Sequence, residues 1–82
     1  MGKPIKIDFM GQRLVGYAEI VDHLLRKAGP NCWRLFIVID IHMPEPIGGF
    51  RKDAEWLIEG AGNRHDAELV AIQSIAEFNG AI

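Results

Sequence analysis

The segment Cys32–Met43, which reads CWRLFIVIDIHM, constrains the fold most. It is rich in β-branched and aromatic residues, and it therefore predicts a central strand. Alternate side chains of a strand lie on opposite faces. One face would carry Trp33, Leu35, Ile37, Ile39 and Ile41, and the other Cys32, Arg34, Phe36, Val38, Asp40 and His42. The first face is wholly apolar and needs a layer of helix over it, whereas the second becomes polar toward Asp40 and His42.

A shorter alternating segment precedes this run. Over Pro4–Met10, three apolar residues at alternate positions share one face, which is typical of a half-buried strand. They are Ile5, Ile7 and Phe9. Gly11 interrupts the pattern, and glycine at the first position of a two-residue turn suits a type II′ hairpin. A small extra strand that returns through Arg13–Val15 is an option that the sequence leaves open.

A helix is predicted between these two strands. Six apolar residues of the segment Val15–Ala28 recur at the three- and four-residue spacing of an amphipathic helix. They are Tyr17, Ile20, Val21, Leu24, Leu25 and Ala28. Gly29 followed by Pro30 is a strong stop signal for a helix. We therefore expect Val15–Ala28 to be helical.

The chain after the central strand predicts a loop and then another strand. Pro44–Gly49 contains two prolines and two glycines, and we expect it to be the longest irregular and most mobile internal segment. Ala54–Ala61 again alternates, which predicts a strand of the same sheet. Its core face would carry Trp56 and Ile58, and its solvated face Glu55, Leu57 and Glu59.

A second helix is predicted at the end of the chain. Asn63 can cap its first turn, with Asp66 three residues later. Its apolar stripe comprises Ala67, Val70, Ala71, Ser74, Ile75 and Phe78, widened by Leu69, Ile72 and Ala76. Gly80 is a natural residue for its C-terminal end.

The predicted order is therefore β-α-β-β-α. Two helices with apolar stripes and a sheet with one apolar face predict an α+β two-layer sandwich. Its small, mostly antiparallel sheet would be covered on one face by both helices. With 82 residues, the chain predicts a single domain over residues 1–82.

Composition and charge exclude several classes of function. The net charge of −2 supplies no basic field to attract nucleic acid or an anionic membrane. Cys32 is the only cysteine, so an internal disulfide and a multi-cysteine zinc site are excluded. No apolar run approaches the length of about 20 residues that a membrane span needs. The first residues lack the apolar core of a signal peptide, and we expect a cytoplasmic protein.

Few residues indicate chemistry. Asp40 and His42 lie two apart on one strand face, and with His65 they could imitate a metal site of two histidines and one carboxylate. The simpler interpretation is a polar strand end, because nothing in the sequence places His65 nearby. We therefore expect no metal site, no cofactor and no catalytic residue.

The last part of the chain has a distinctive order of residues. Over Gly60–Ala76 it reads GAGNRHDAELVAIQSIA, which is a Gly-x-Gly turn, a short polar cluster and a helix of small residues. This resembles the end of the double-stranded-RNA-binding domain family, and the matching residues are Gly60, Gly62, Ala67, Glu68, Ala71 and Ala76. The family's paired lysines are replaced here by Arg64, His65 and Asp66. The resemblance implies a helix ahead of the strands, a layered αβ arrangement and binding to duplex RNA.

The sequence favours a non-enzymatic module for protein interaction or regulation. Its partner would be another protein, with a second copy of this chain as one option. The candidate binding residues are Phe50, Arg51 and Lys52 after the loop, and Arg64 and His65 at the last helix. Two alternatives remain open, an RNA-binding module that uses these cations and a small metal-binding protein or enzyme at Asp40, His42 and His65.

Overall fold

The computed structural model describes residues 2–80 as four strands followed by one helix. The elements are β1 (Lys3–Phe9), β2 (Gln12–Gly29), β3 (Cys32–His42), β4 (Phe50–Glu59) and α1 (Arg64–Phe78). Each strand pairs antiparallel with the strand before it, so the sheet is a meander in the order β1-β2-β3-β4. The described residues form an elongated body of 46 × 24 × 17 Å.

The predicted first strand is confirmed, and it pairs with β2 through a two-residue turn. Phe9 lies opposite Gln12, so Met10 and Gly11 form the connection. Their φ angles are 48° and 78°. Positive φ at both positions is the requirement of a type I′ turn, and Gly11 therefore occupies the second position rather than the first, as type II′ would need.

The predicted helix over Val15–Ala28 is wrong, because these residues belong to the 18-residue strand β2. A β-bulge shifts the register of β2 against β3 between Ile20 and Asp22. Ile20 before the bulge and Leu25 after it are both buried, although an uninterrupted strand would place them on opposite faces. The extra residue lengthens the spacing between residues of the core face from two positions to three. A spacing of three is also typical of the apolar face of a helix.

The residues that suggested a helix end form a turn instead. Gly29 lies opposite Cys32, which leaves Pro30 and Asn31 as the connection between β2 and β3. Asn31 has a φ of 55°, in the left-handed region. Proline followed by asparagine in this conformation is the residue order of a type II turn.

The predicted central strand and its two faces are confirmed in β3. Leu35 is 0% exposed and Ile37 is 2% exposed, and both lie on the predicted core face. Ile39 on the same face is only half-buried, because one helix lies over this face and not the two that the sequence predicts. β3 pairs with β2 on one side and with β4 on the other. The predicted faces of the next strand are also confirmed, because Ile58 is buried and Leu57 is exposed.

The last helix is confirmed with its cap. The side chain of Asn63 accepts a hydrogen bond from the backbone N–H of Asp66 at 2.9 Å. Ala67 and Ala71 are buried against the sheet, in a core that also contains Trp33 and Leu35. The predicted apolar stripe is narrower than expected, since Leu69, Val70 and Ile72 are exposed.

The predicted two-layer sandwich of order β-α-β-β-α is therefore wrong. Within residues 2–80 the order is β-β-β-β-α, and one helix of 15 residues covers part of one sheet face. A second buried cluster of Ala18, Ile41 and Met43 continues the core beyond the helix. The helix ahead of the strands that the family resemblance implied is part of β2.

The segment after β3 is partly anchored. Ile47 packs against the second cluster, and its backbone N–H donates a hydrogen bond to the carbonyl oxygen of Pro44 at 3.2 Å. The expected mobility of Pro44–Gly49 stays a prediction. Over residues 2–80, no helix has both the length and the apolar character that a membrane crossing requires.

Candidate functional site on the open face of the sheet

The face of β2, β3 and β4 turned away from α1 is called the open face here. Its register follows from the pairings of β3 with its two neighbours. The members are Tyr17, Glu19, Asp22, Leu24 and Arg26 of β2, Cys32, Arg34, Phe36, Val38, Asp40 and His42 of β3, and Arg51, Asp53, Glu55, Leu57 and Glu59 of β4. All of them are exposed or half-buried. In the described part of the chain, no element covers this face.

Four side chains form an apolar patch in the middle of the open face: Leu24, Phe36, Val38 and Leu57. Leu24 lies directly opposite Phe36, and Leu57 lies opposite Arg34, one position diagonal to Phe36. Leu24 and Leu57 are 51% and 56% exposed. Because cross-strand and diagonal neighbours are within reach of each other, the four form one continuous surface.

Charges of opposite sign lie at the two ends of this apolar patch. At the basic end, Arg26 lies directly opposite Arg34. At the acidic end, Asp22 and Asp53 lie on either side of Val38. A shallow depression of about 260 Å³ at the acidic end is lined by Asp22, His23, Leu24, Phe36, Ile37, Val38, Asp53 and Ala54.

A polar cluster continues the open face beyond the acidic end. Glu19 lies opposite Asp40, and His42 follows on the same face of β3. His42 Nε2 is 3.4 Å from Glu19 Oε1 and 3.6 Å from Asp40 Oδ2. Arg51 Nε is 3.4 Å from the other carboxylate oxygen of Asp40. We call Glu19, Asp40 and His42 the polar cluster.

The binding residues predicted from the sequence do not come together. Phe50, Arg51 and Lys52 lie at the beginning of β4, whereas Arg64 and His65 follow its other end. Arg51 lies on the open face beside Asp40, and Lys52 points to the opposite face. Phe50 is 42% exposed opposite Ile41, and His65 is exposed in the first turn of α1.

Arg64 is held on the helix side of the sheet. Its guanidinium lies 5.3 Å from the centre of the Trp33 ring, within the range of a cation–π interaction. It donates a hydrogen bond to the carbonyl oxygen of Leu25 at 3.4 Å and lies 3.8 Å from Glu68. These contacts hold the guanidinium against Trp33 and α1, although the side chain is still 58% exposed.

The sequence left open whether Asp40 and His42 converge with His65, and the structure places them beside Glu19 instead. Sequence reasoning missed Glu19 because it lay in a segment interpreted as helix. The missing signal was the cross-strand register, which depends on recognising the bulge in β2.

The open face thus offers two kinds of chemistry. The apolar patch with opposite charges at its ends can bind a protein surface, and the polar cluster can present oxygen and nitrogen atoms to a cation.

No protein-family model, curated protein or solved structure matches this chain.

Proposed function

We propose that the protein is a non-enzymatic protein-interaction module, and that its open face binds a second copy of the chain. The observation that carries this proposal is the apolar patch in the middle of a sheet face. The solvated face of a sheet normally carries polar residues. On the open face, however, Leu24, Phe36 and Leu57 are 51%, 37% and 56% exposed. A continuous exposed apolar surface with a polar rim is typical of an interaction site.

The arrangement of charges favours a second copy as the occupant. On β3, Arg34 precedes Phe36 by two positions and Val38 follows it by two. A two-fold axis that crosses the strands at Phe36 would therefore exchange the basic and acidic ends. Arg26 of one copy would then lie over Asp22 of the other, as the self-complementarity of a two-fold interface requires.

Pairing of the two ends would also relieve an unfavourable contact within each copy. Arg26 and Arg34 are directly opposite each other, and like charges in that position destabilise a sheet. In the dimer, each guanidinium would lie near a carboxylate while its stem covers Leu24 and Phe36. Charge complementarity of this kind supplies orientation and specificity more than affinity.

The size of the open face predicts a weak dimer. Three strands spaced by about 4.8 Å, with ten residues rising about 3.3 Å each, span about 500 Å². A standard interface buries about 800 Å² on each partner. The Glu55 side chains of the two copies would also approach each other. We therefore expect a dissociation constant on the order of 100 μM, as for a transient complex.

The test is a charge exchange measured by sedimentation equilibrium between about 10 μM and 1 mM. The parent should form dimers in the upper part of this range. Arg26→Glu/Arg34→Glu and Asp22→Arg/Asp53→Arg should each stay monomeric, because each places like charges against each other. An equimolar mixture of the two variants should form a mixed dimer. The measurement is made at about 0.15 M salt, which screens the long-range attraction between the net charges of the two double variants.

Ile72→Glu is the matched control, since Ile72 is 59% exposed on α1 and lies away from the open face. It should dimerise like the parent. A parent that remains monomeric at the highest concentration contradicts the proposal. The same conclusion follows if both double variants dimerise with the constant of the parent. Circular dichroism of each variant confirms that the fold is retained.

A further inference from the structure

The polar cluster brings three potential metal ligands to one point of the open face. One ligand atom from each of Glu19, Asp40 and His42 lies within 4.8 Å of the other two. Glu19 and Asp40 are cross-strand neighbours, and His42 lies two residues beyond Asp40 on the same face. We propose that this cluster binds one divalent transition-metal ion of the zinc class, a function separate from self-association.

Two of the distances between the ligand atoms match the separation of ligands around a zinc ion. Zinc lies about 2.0–2.2 Å from nitrogen and oxygen ligands, and the corners of such a tetrahedron are about 3.3–3.5 Å apart. The distances from His42 Nε2 to Glu19 and Asp40 are 3.4 and 3.6 Å. Two of the three ligand separations therefore match those around a zinc ion, and the third, between the two carboxylates, is within 4.8 Å.

The neighbouring residues of the sheet position the ligands so that an ion would stabilise them. Two carboxylates directly opposite each other repel, and an ion between Glu19 and Asp40 would remove that repulsion. Arg51 contacts Asp40 Oδ1 at 3.4 Å, whereas His42 is near Oδ2. One oxygen of Asp40 is thus held by a supporting cation, and the other is directed to the site. Support of this kind orients metal ligands in known sites.

The ligand set selects the class of ion. One imidazole nitrogen with two carboxylate oxygens suits Zn²⁺ and Co²⁺, whereas Mg²⁺ and Ca²⁺ prefer oxygen ligands alone. Three protein ligands leave the fourth position of a tetrahedron to water. The side chains of His42 and Glu19 are 56% and 42% exposed, so an ion can enter directly from solvent.

The test is titration of the chain with zinc chloride by isothermal calorimetry, with cobalt absorption as a report of coordination. One Zn²⁺ should bind per chain, at least about 10-fold more tightly than Mg²⁺. Bound Co²⁺ should show the visible absorption bands of a site with fewer than six ligands. His42→Ala and Glu19→Gln should each weaken zinc binding by about 10-fold or more, because each removes one ligand.

The chain contains matched controls in its two other histidines. His23→Ala and His65→Ala remove the same side chain outside the polar cluster and should leave zinc binding unchanged. Equal binding in the parent and in both His42→Ala and Glu19→Gln overturns the proposal, as does a parent that binds Mg²⁺ as tightly as Zn²⁺. Arg26→Glu/Arg34→Glu should still bind zinc as a monomer. Loss of zinc binding in this variant would show that the site requires the dimer, and would overturn the single-chain site proposed here.

Discussion

At the scale of single residues, Gly16 shows how closely two segments approach. It lies in β2, and a Cβ atom built there would overlap the backbone oxygen of His42 and the sulfur atom of Met43. The neighbouring atom at His42 belongs to the backbone and has no rotamer by which to move away. Any side chain at position 16 would therefore displace the end of β3, where the polar cluster is built.

We expect Gly16→Ala to lower the free energy of unfolding by about 1–3 kcal/mol or more, which is the usual cost of overpacking. Gly29→Ala is the matched control in the same strand, because a Cβ there would meet its nearest neighbour, Cys32 Cβ, at an ordinary 3.8 Å. Urea unfolding measures both. Equal midpoints for the two variants would show that the end of β3 adapts without cost.

Ile37 is the second residue whose environment makes a clear prediction. It is 2% exposed and lies in the core formed by the sheet and α1. Ile37→Ala should destabilise the protein by about 2–5 kcal/mol, since it removes buried methyl groups and leaves a cavity. Ile72→Ala, at an exposed helix position, should change stability by less than about 1 kcal/mol. Denaturant titration of the pair checks the assignment of the core face.

At the scale of elements, Asn79 joins the end of α1 to the bulge of β2. Its Oδ1 accepts a hydrogen bond from the backbone N–H of Ile20 at 2.8 Å, and its Nδ2 donates to the carbonyl oxygen of Ile20 at 3.3 Å. The side-chain amide therefore makes the two backbone hydrogen bonds that a neighbouring strand would make with Ile20, next to the position where the register shifts. This contact fixes where the helix ends over the sheet.

Replacement of this amide should loosen the helix. Asn79→Ala leaves two backbone groups of Ile20 without their partner and should cost about 1–3 kcal/mol. Asn79→Asp keeps the acceptor and loses the donor, so its cost should be intermediate. Hydrogen exchange of the Ile20 amide distinguishes a local effect from general destabilisation. Unchanged protection of that amide in Asn79→Ala would contradict the role given to Asn79.

At the scale of the whole molecule, the cations that the RNA-binding alternative needs are dispersed. Arg51 lies on the open face beside Asp40, and Arg64 lies on the helix side over Trp33. Arg51 lies at the beginning of β4, whereas Arg64 follows the end of that strand. Duplex RNA is bound through several phosphates at once, and each requires a cation on the same surface. The net charge of −2 adds no general attraction.

We therefore expect duplex RNA to bind with a dissociation constant of about 10 μM or weaker at physiological salt, the range of purely electrostatic binding. Fluorescence titration of a labelled duplex at two salt concentrations measures this, with Arg64→Glu as the test variant and Arg13→Glu as a control on the β1–β2 hairpin. Sub-micromolar binding that Arg64→Glu abolishes and Arg13→Glu retains would favour RNA binding over self-association.

The sequence alone determined those elements whose pattern is complete within one segment. The alternation in Cys32–Met43 is uninterrupted, and it identified β3 with both of its faces. Asn63 and Gly80 marked the ends of α1 because capping depends on local backbone geometry. The strand around Leu57 was recognised for the same reason as β3.

The tertiary structure alone decided the identity of β2 and everything that depends on it. Apolar residues spaced across a bulge have the same pattern in a helix as in a strand, and pairing with β1 and β3 on both sides selects the strand. Only that pairing brings Glu19 opposite Asp40 and Leu24 opposite Phe36. Hydrogen bonds between distant segments set the register, and no local periodicity in the sequence records which residues will be opposite each other.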